Sequence, residues 1–334
     1  MMKNSSQILN LPTEANLAIP ILEQTRKYGS KVAMRCKRDG GWQEITWSAL
    51  GEQLNATARA LLELGLNEGE MVSIFSPNMP ECTIADVASL SIRGVPVYIY
   101  PTNPAKTAEY IVNDSESRMI FVGTQDQYDK VISFISASSC LKKIIAFQKE
   151  INLNGHPMAM YFDAFLDLGR SSSKGPEISH RLGRASQDDL LTLIYTSGTT
   201  GEPKGVMLTH YSNMFHSAAS HDKRLLDIND RDVSLCFLPL SHIFERAWTY
   251  YVLYRGMTNN YLEDPKTIIE AIQEVKPAVM CAVPRFYEKI YATVQHRLEA
   301  ASPLKKRLFK WALRTTSRFP FFWKPGIESP TPWF

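Results

Sequence analysis

The sequence predicts an α/β fold of mostly parallel sheets flanked by helices. Two observations carry that expectation. From about residue 46 onward, short apolar runs alternate with amphipathic stretches of helix length, the pattern of a parallel sheet covered by helices. The apolar run over residues 190–195 also leads into a loop of glycines and hydroxyls, as when a sheet presents a ligand-binding loop at a strand's carboxyl end.

The elements follow in chain order. Residues 31–38 and 40–46 read as a hairpin around Asp39-Gly40-Gly41. Apolar residues at helical spacing over 48–64, stopped by Gly65, read as a helix. Strands are expected at 71–75, 95–98, 119–122 and 143–147, with helices at 80–93, 104–114 and 126–135. Residues 170–174 (RSSSK) read as a surface loop. After the 190–195 strand and its loop, a helix is expected from near Thr209 or Ser212. Strands at 233–238, 258–261 and 278–283 then alternate with helices at 244–254 and 267–275.

The chain has 334 residues, 44% of them hydrophobic, enough to bury one large core or two. Its net charge of +3 is too small to argue for nucleic acid. The five cysteines, at 36, 82, 140, 236 and 281, have neither metal-site nor disulfide-framework spacing and read as buried reduced thiols. No apolar stretch suits a signal peptide, and no run of 18 apolar residues suits a spanning helix. A cytoplasmic protein is the expectation. Oligomeric state is left open.

The most informative segment is Tyr195-Thr-Ser-Gly-Thr-Thr-Gly-Glu-Pro-Lys-Gly-Val206. Thr196, Ser197, Thr199 and Thr200 supply hydroxyls, Gly198 and Gly201 let backbone N–H groups approach an anion, and Lys204 adds a point charge. The pattern G-x-x-x-x-G-K-S/T fails, because its second glycine would fall on Pro203 or Val206. No G-x-G-x-x-G occurs.

The segment resembles, at every fixed position, the signature loop of the adenylate-forming enzymes, Y/F-T-S-G-S/T-T-G-x-P-K-G-V/I. These include acyl-CoA synthetases, aryl-CoA ligases and peptide-synthetase adenylation domains. Two further segments resemble the long-chain fatty acyl branch: Leu238-Pro-Leu-Ser-His-Ile-Phe-Glu-Arg246 and Ala282-Val-Pro-Arg-Phe-Tyr-Glu-Lys-Ile-Tyr291. The resemblance implies the large N-terminal domain of such an enzyme. It implies a reaction in which a fatty carboxylate attacks the α-phosphate of ATP and coenzyme A then displaces AMP. ATP, Mg²⁺ and coenzyme A are the implied cofactors and co-substrates.

By resemblance, Thr196 is the magnesium ligand, and Ser197, Gly198, Thr199, Thr200 and Gly201 cradle pyrophosphate. Lys204 and His242 carry catalysis. His242 would orient a carboxylate that is already ionised at neutral pH, rather than act as a base. His242, Phe244 and Trp248 would border the acyl channel, although the aromatic cluster Trp248, Tyr250, Tyr251 and Tyr254 reads by spacing as core. Arg285 and Glu288, at i and i+3, read as a helix-surface ion pair.

A partial AMP-binding domain over 1–334 is expected, with α/β subdomains at about 45–180 and 185–300. The family's later G-x-T-E element, ribose-binding aspartate, hinge and small C-terminal domain do not occur in these residues, so weak or no ligase activity is expected of this chain alone. Alternatives are adenylation of an aryl or amino acid, or a non-catalytic ATP- or lipid-binding remnant. Residues 303–324 carry basic residues without an acid, interleaved with Leu304, Leu308, Trp311 and Ala312. This suits an anionic membrane surface, placing the protein peripherally at the inner membrane face, and equally suits an ordinary solvated basic face.

Overall fold

The computed structural model describes residues 15–38, 40–196, 201–212 and 228–316. Within it the chain divides into two compact units, Met1–Cys281 and Ala282–Phe334.

The first unit contains two sheets. Strands β1 (Val32–Arg38) and β2 (Gly41–Thr46) form the expected hairpin; Gly40 takes the left-handed conformation of the turn (φ +76°), while Asp39 lies outside the described residues. Helix α1 (Ala18–Tyr28) precedes them and α2 (Trp47–Glu63) follows. The Thr46 hydroxyl caps α2 by accepting from the Ala49 N–H at 3.2 Å. At its other end Gly65 (φ +82°) donates to the Leu62 carbonyl and Leu66 to Leu61. This paired closure needs a residue tolerant of positive φ.

Strands β3 (Met71–Phe75), β4 (Val95–Ile99), β5 (Met119–Val122), β6 (Lys143–Ala146) and β7 (Ala159–Tyr161) alternate with α3 (Pro80–Ser91), α4 (Ala105–Asp114) and α5 (Gln125–Phe134). Strands β3 to β7 are mutually parallel. All twelve residues of α3 are buried, including the acids Glu81 and Asp86, so these need partners inside the fold. Helices α6 (Phe162–Arg170) and α7 (Gly175–Leu182) come next, then β8 (Leu190–Thr196) and β9 (Lys204–Thr209). The large sheet has the order β7-β6-β5-β3-β4-β8-β9. The remaining elements of this unit are β10 (Val233–Cys236), α8 (Ile243–Tyr254), β11 (Thr258–Tyr261) and α9 (Ile268–Val275). The second sheet has the order β10-β11-β1-β2.

Three expectations change. Residues 278–283 form no strand; one bridge, Ser234 to Val279, replaces it, and Pro277 and Pro284 at either side leave little room for a ladder. Helices α1, α6 and α7 and strand β7 were not anticipated. Both sheets draw chain from each side of the expected boundary near residues 180–185, since β8 and β9 join β3–β7 while β1 and β2 join β10 and β11.

The second unit consists, in its described part, of α10 (Pro284–Glu299) and α11 (Pro303–Thr316). No described residue of α10 is buried. Arg285 and Glu288 are both exposed, and no ion pair between them is seen among the described residues. An exposed pair of long side chains gains too little to hold one geometry. The five cysteines are all free. Among the described residues no helix is long and apolar enough to cross a membrane.

Candidate functional site

Strand β8 runs parallel to β4, with Val97 opposite Leu193, and antiparallel to β9, with Thr196 opposite Lys204. The element after the loop is therefore a strand; helical geometry begins only at His210. The helix expected from near Thr209 or Ser212 begins where expected, but an unanticipated strand, β9, stands between it and the loop. A helix N-terminus does not directly follow the loop. Ser197, Gly198, Thr199 and Thr200 lie outside the described residues. Gly201 has φ +116°, a conformation that strains any other residue. Thr196 and Lys204 are exposed.

The hairpin is pinned at both ends. At the loop end the Tyr195 hydroxyl donates to Asp114 Oδ2 at 2.6 Å, and burial with that carboxylate pushes the phenol far up. Gly205 lies against the Tyr195 ring, where a Cβ would come within 3.2 Å. At the far end buried His210 accepts at Nδ1 from the Leu17 N–H at 3.1 Å. Burial pulls this imidazole down to about 4, so it is neutral near pH 7.

The second motif forms the turn between β10 and α8. Asn78 clamps it from α3's leading loop, accepting from the Leu240 N–H at 3.1 Å and donating to the Leu238 carbonyl at 2.8 Å. His242 is the N-cap of α8, its Nδ1 accepting from the Phe244 N–H at 3.2 Å. An accepting Nδ1 carries no proton, so the neutral ring holds its proton on Nε2 as a donor. The exposed ring thus presents a fixed N–H beside the positive end of a twelve-residue helix. This arrangement suits an anion such as a carboxylate or a phosphate oxygen. Phe244 is partly exposed. Trp248 is buried, donates its indole N–H to Ser234 Oγ at 3.0 Å and packs on Tyr251. Its observed setting is core, the reading its spacing favoured.

The two motifs meet. A cavity of about 240 Å³ is lined by Tyr98, Tyr100, Tyr195, Thr196, Pro203 and Ser241 among others, joining the loop to the residue preceding His242. Tyr100 also lines a second cavity of about 460 Å³, with Asn78, Phe237 and Pro239, at the carboxyl ends of strands from both sheets. Ligands in open α/β sheets bind at such ends.

Beneath His242 lie two charged residues that the sequence reading gave no role. Arg246 and Asp86 are each 1% exposed at the side chain and form a bidentate pair, with Nε to Oδ2 at 2.9 Å and Nη2 to Oδ1 at 2.8 Å. Burial alone opposes the charge on Arg246, but Asp86 and the neighbouring Tyr250 and Tyr98 hydroxyls outweigh it and push the guanidinium upward. Glu245 is fully buried; Oε2 accepts from the Leu238 N–H at 3.2 Å, and Oε1 has no partner among the described residues. Burial pushes its carboxyl up to about 8, against the pull of that N–H and the Cys236 thiol. In the folded chain Glu245 therefore keeps its proton from the usual carboxylate range up to about pH 8. The stability this proton provides is full on the acid side and lost as pH rises through the folded value. Glu245→Gln should therefore gain stability relative to the parent between about pH 5 and about pH 8.5, by of order 1 kcal/mol per pKa unit. Urea unfolding at both values checks this, and a parent–variant difference independent of pH would refute it.

A family profile described as AMP-binding enzyme matches residues 21–316. The chain belongs to the AMP-binding enzyme family. It is 33% identical over 304 residues to the long-chain-fatty-acid–CoA ligase FadD15 of Mycobacterium tuberculosis, covering 90% of this chain and 48% of that one. It is 30% identical over 297 residues to the long-chain-fatty-acid–CoA ligase ACSBG2 of Xenopus laevis, covering 87% and 40%. The chain spans about half the length of the curated relatives it matches. Among solved structures, the A domain of carboxylic acid reductase from Segniliparus rugosus, in complex with AMP, superposes with a TM-score of 0.73 at 19% identity, covering 87% of this chain and 53% of that one. An anthranilate CoA ligase, AuaEII, in complex with anthranoyl-AMP gives 0.70 at 19%, covering 84% and 51%. The long-chain-fatty-acid–CoA ligase FadD1 of Archaeoglobus fulgidus gives 0.70 at 21%, covering 88% and 55%. These structures establish the fold, α/β with mostly parallel sheets. They do not rank the acids, since an aryl ligase and a fatty acid ligase superpose equally well.

Proposed function

We propose that this AMP-binding chain carries the nucleotide–phosphate and carboxylate half of a long-chain fatty acid–CoA ligase site. In the reaction, a fatty carboxylate oxygen bonds to the α-phosphorus of ATP and pyrophosphate leaves. The coenzyme A sulfur then bonds to the acyl carbon and AMP leaves. The observation that carries the reading is the cavity in which Thr196 and Ser241 meet, with Lys204 across the hairpin from Thr196. Hydroxyls and one ammonium are the donors expected where charge builds on a leaving pyrophosphate. The long-chain sense rests on the segments 238–246 and 282–291 and on the two ligases at 33% and 30% identity.

The residues present fit magnesium in one manner. Among the described residues no group of three or more His, Cys, Asp or Glu is placed to hold a metal ion. Magnesium at phosphate sites takes one or two protein oxygens and completes its shell with phosphate and water, so the exposed Thr196 hydroxyl suffices as a protein ligand. Bound there, magnesium would neutralise phosphate charge. Lys204 would hold the outer phosphates, and His242 Nε2–H would orient the incoming carboxylate.

Equilibrium binding of a long-chain fatty acid, an aryl acid and an amino acid, each with ATP and magnesium, tests substrate class. Preference for the fatty acid is expected, and preference for the aryl or amino acid would overturn that part of the reading.

Helix α11 presents Leu304, Leu308, Trp311 and Leu313 to solvent, the tryptophan 66% exposed, beside Lys305, Lys306, Arg307 and Lys310. Of the basic segment 303–324, residues 317–324 lie outside the described residues. We propose that this surface meets anionic lipid, which would bring the chain to membranes where its substrate partitions. Vesicles containing anionic phosphatidylserine should sediment the protein and zwitterionic ones should not. Equal recovery with both would remove the membrane from the account.

A further inference from the structure

We infer that the buried Arg246–Asp86 pair is a positioning device for the candidate site, acting through the hydrogen bond from Arg246 to Thr192 and through the Tyr98 hydroxyl on Asp86. This deepens the proposed function and rests on it. Arg246 Nη1 donates to Thr192 Oγ1 at 2.6 Å, and that hydroxyl donates to the Pro96 carbonyl at 2.7 Å. Thr192 therefore uses both its acceptor and its donor, joining α8, β8 and β4 at one atom.

The joint matters because the backbone ladder between β8 and β4 is short. Their ladder has one register pair, Val97 to Leu193. Pro96 has no N–H to extend it. Thr192 is four residues before Thr196 on β8, and strand side chains alternate faces with a period of two, so both point to the same face. Arg246 grips that face from α8, and on the same side Thr196 and Ser241 share a cavity. The network reaches the cavity wall directly. Tyr98 lines the cavity, donates to Asp86 Oδ2 at 3.2 Å, and has the Arg246 guanidinium 4.6 Å from its ring centroid. Tyr250 closes the network, donating to Asp86 Oδ2 at 2.7 Å. Asp86 thus sits at the centre of contacts that fix the distance between the phosphate-loop strand and the helix capped by His242.

A pair that only held the core together would respond to mutation in stability alone. A positioning contact also responds in ligand affinity when the link from the pair to the site is cut and the pair itself is left intact. Thr192→Val removes the hydroxyl without changing volume and leaves Arg246 bonded to Asp86. Measured by calorimetry on the 334-residue chain, its MgATP dissociation constant should rise about 5- to 10-fold, with a melting temperature within several degrees of wild type. Thr192→Ser, which keeps the hydroxyl, should restore wild-type affinity. Wild-type affinity in folded Thr192→Val would overturn the inference. If Thr192→Val does not fold, Tyr98→Phe carries the test, since it removes one hydroxyl of the network from the cavity wall; unchanged affinity there also overturns it. Failure of wild type itself to bind MgATP would instead overturn the proposed function.

Discussion

Asp86→Ala is expected to destabilise the chain by about 3–5 kcal/mol, because it strands a buried guanidinium. Arg246 would keep its bonds to Thr192 and Tyr250, but neither partner is an anion. The loss is a large share of the roughly 5–15 kcal/mol that separates folded from unfolded domains. Little or no soluble folded protein at 37 °C would follow. Asp86→Asn, which keeps two polar atoms in place, should cost less. Replacing Asp86 and Arg246 together by leucine should recover much of the loss, since an apolar pair of similar volume need not be worse than a buried ion pair. Urea unfolding of the variants gives the comparison. A loss below about 1 kcal/mol for Asp86→Ala would show that water or another anion serves Arg246 instead.

Lys204→Ala should raise the MgATP dissociation constant about 10- to 100-fold, the value of a lost hydrogen bond to a charged group. Lys204 is the first residue of β9 and exposed, so truncating its side chain removes no buried contact and should leave stability unchanged. Thr196→Ala should weaken binding less, by several-fold, because a neutral hydroxyl contributes less than an ammonium facing phosphate. The order of effects is as informative as their size. If Thr196→Ala mattered and Lys204→Ala did not, the site would be organised around a metal without the cation.

The fold was legible wherever apolar periodicity was strong. Helix α2 ends at the Gly65 that punctuates it, and β3, β5 and β11 fall on the expected residues. The second half of the hairpin was not legible. Residues 204–209 are largely exposed, with Met207 and Val206 facing solvent, so an edge strand lacked the alternation that marks a half-buried one. The helix after it was legible: it was expected from near Thr209 or Ser212, and helical geometry begins at His210. Helices α6 and α7 are hard to see in the sequence because both are short and the polar residues 170–174 stand between them.

Of the site, the two motifs were legible and their meeting was not. Nothing in the spacing of 196 and 241 states that they share a cavity; the sheet order does. Asp86, Thr192 and Arg246 were missed, although each left a signal. Asp86 is an acid flanked by Ile84, Ala85, Val87 and Ala88, and Thr192 is a hydroxyl inside an apolar strand. A polar residue in a segment buried on all sides needs a partner, and here the three are each other's. Glu245 left the same signal, and its Oε1 has no partner among the described residues.

The role proposed for the Thr196–Lys204 hairpin is that of a polyphosphate site. Calorimetric titration of the intact 334-residue chain with magnesium pyrophosphate and with MgATP tests it most directly. Saturable binding of both, mutual competition, and a large loss in Lys204→Ala are expected. No binding of either, or binding that Lys204→Ala and Thr196→Ala leave unchanged, would contradict it.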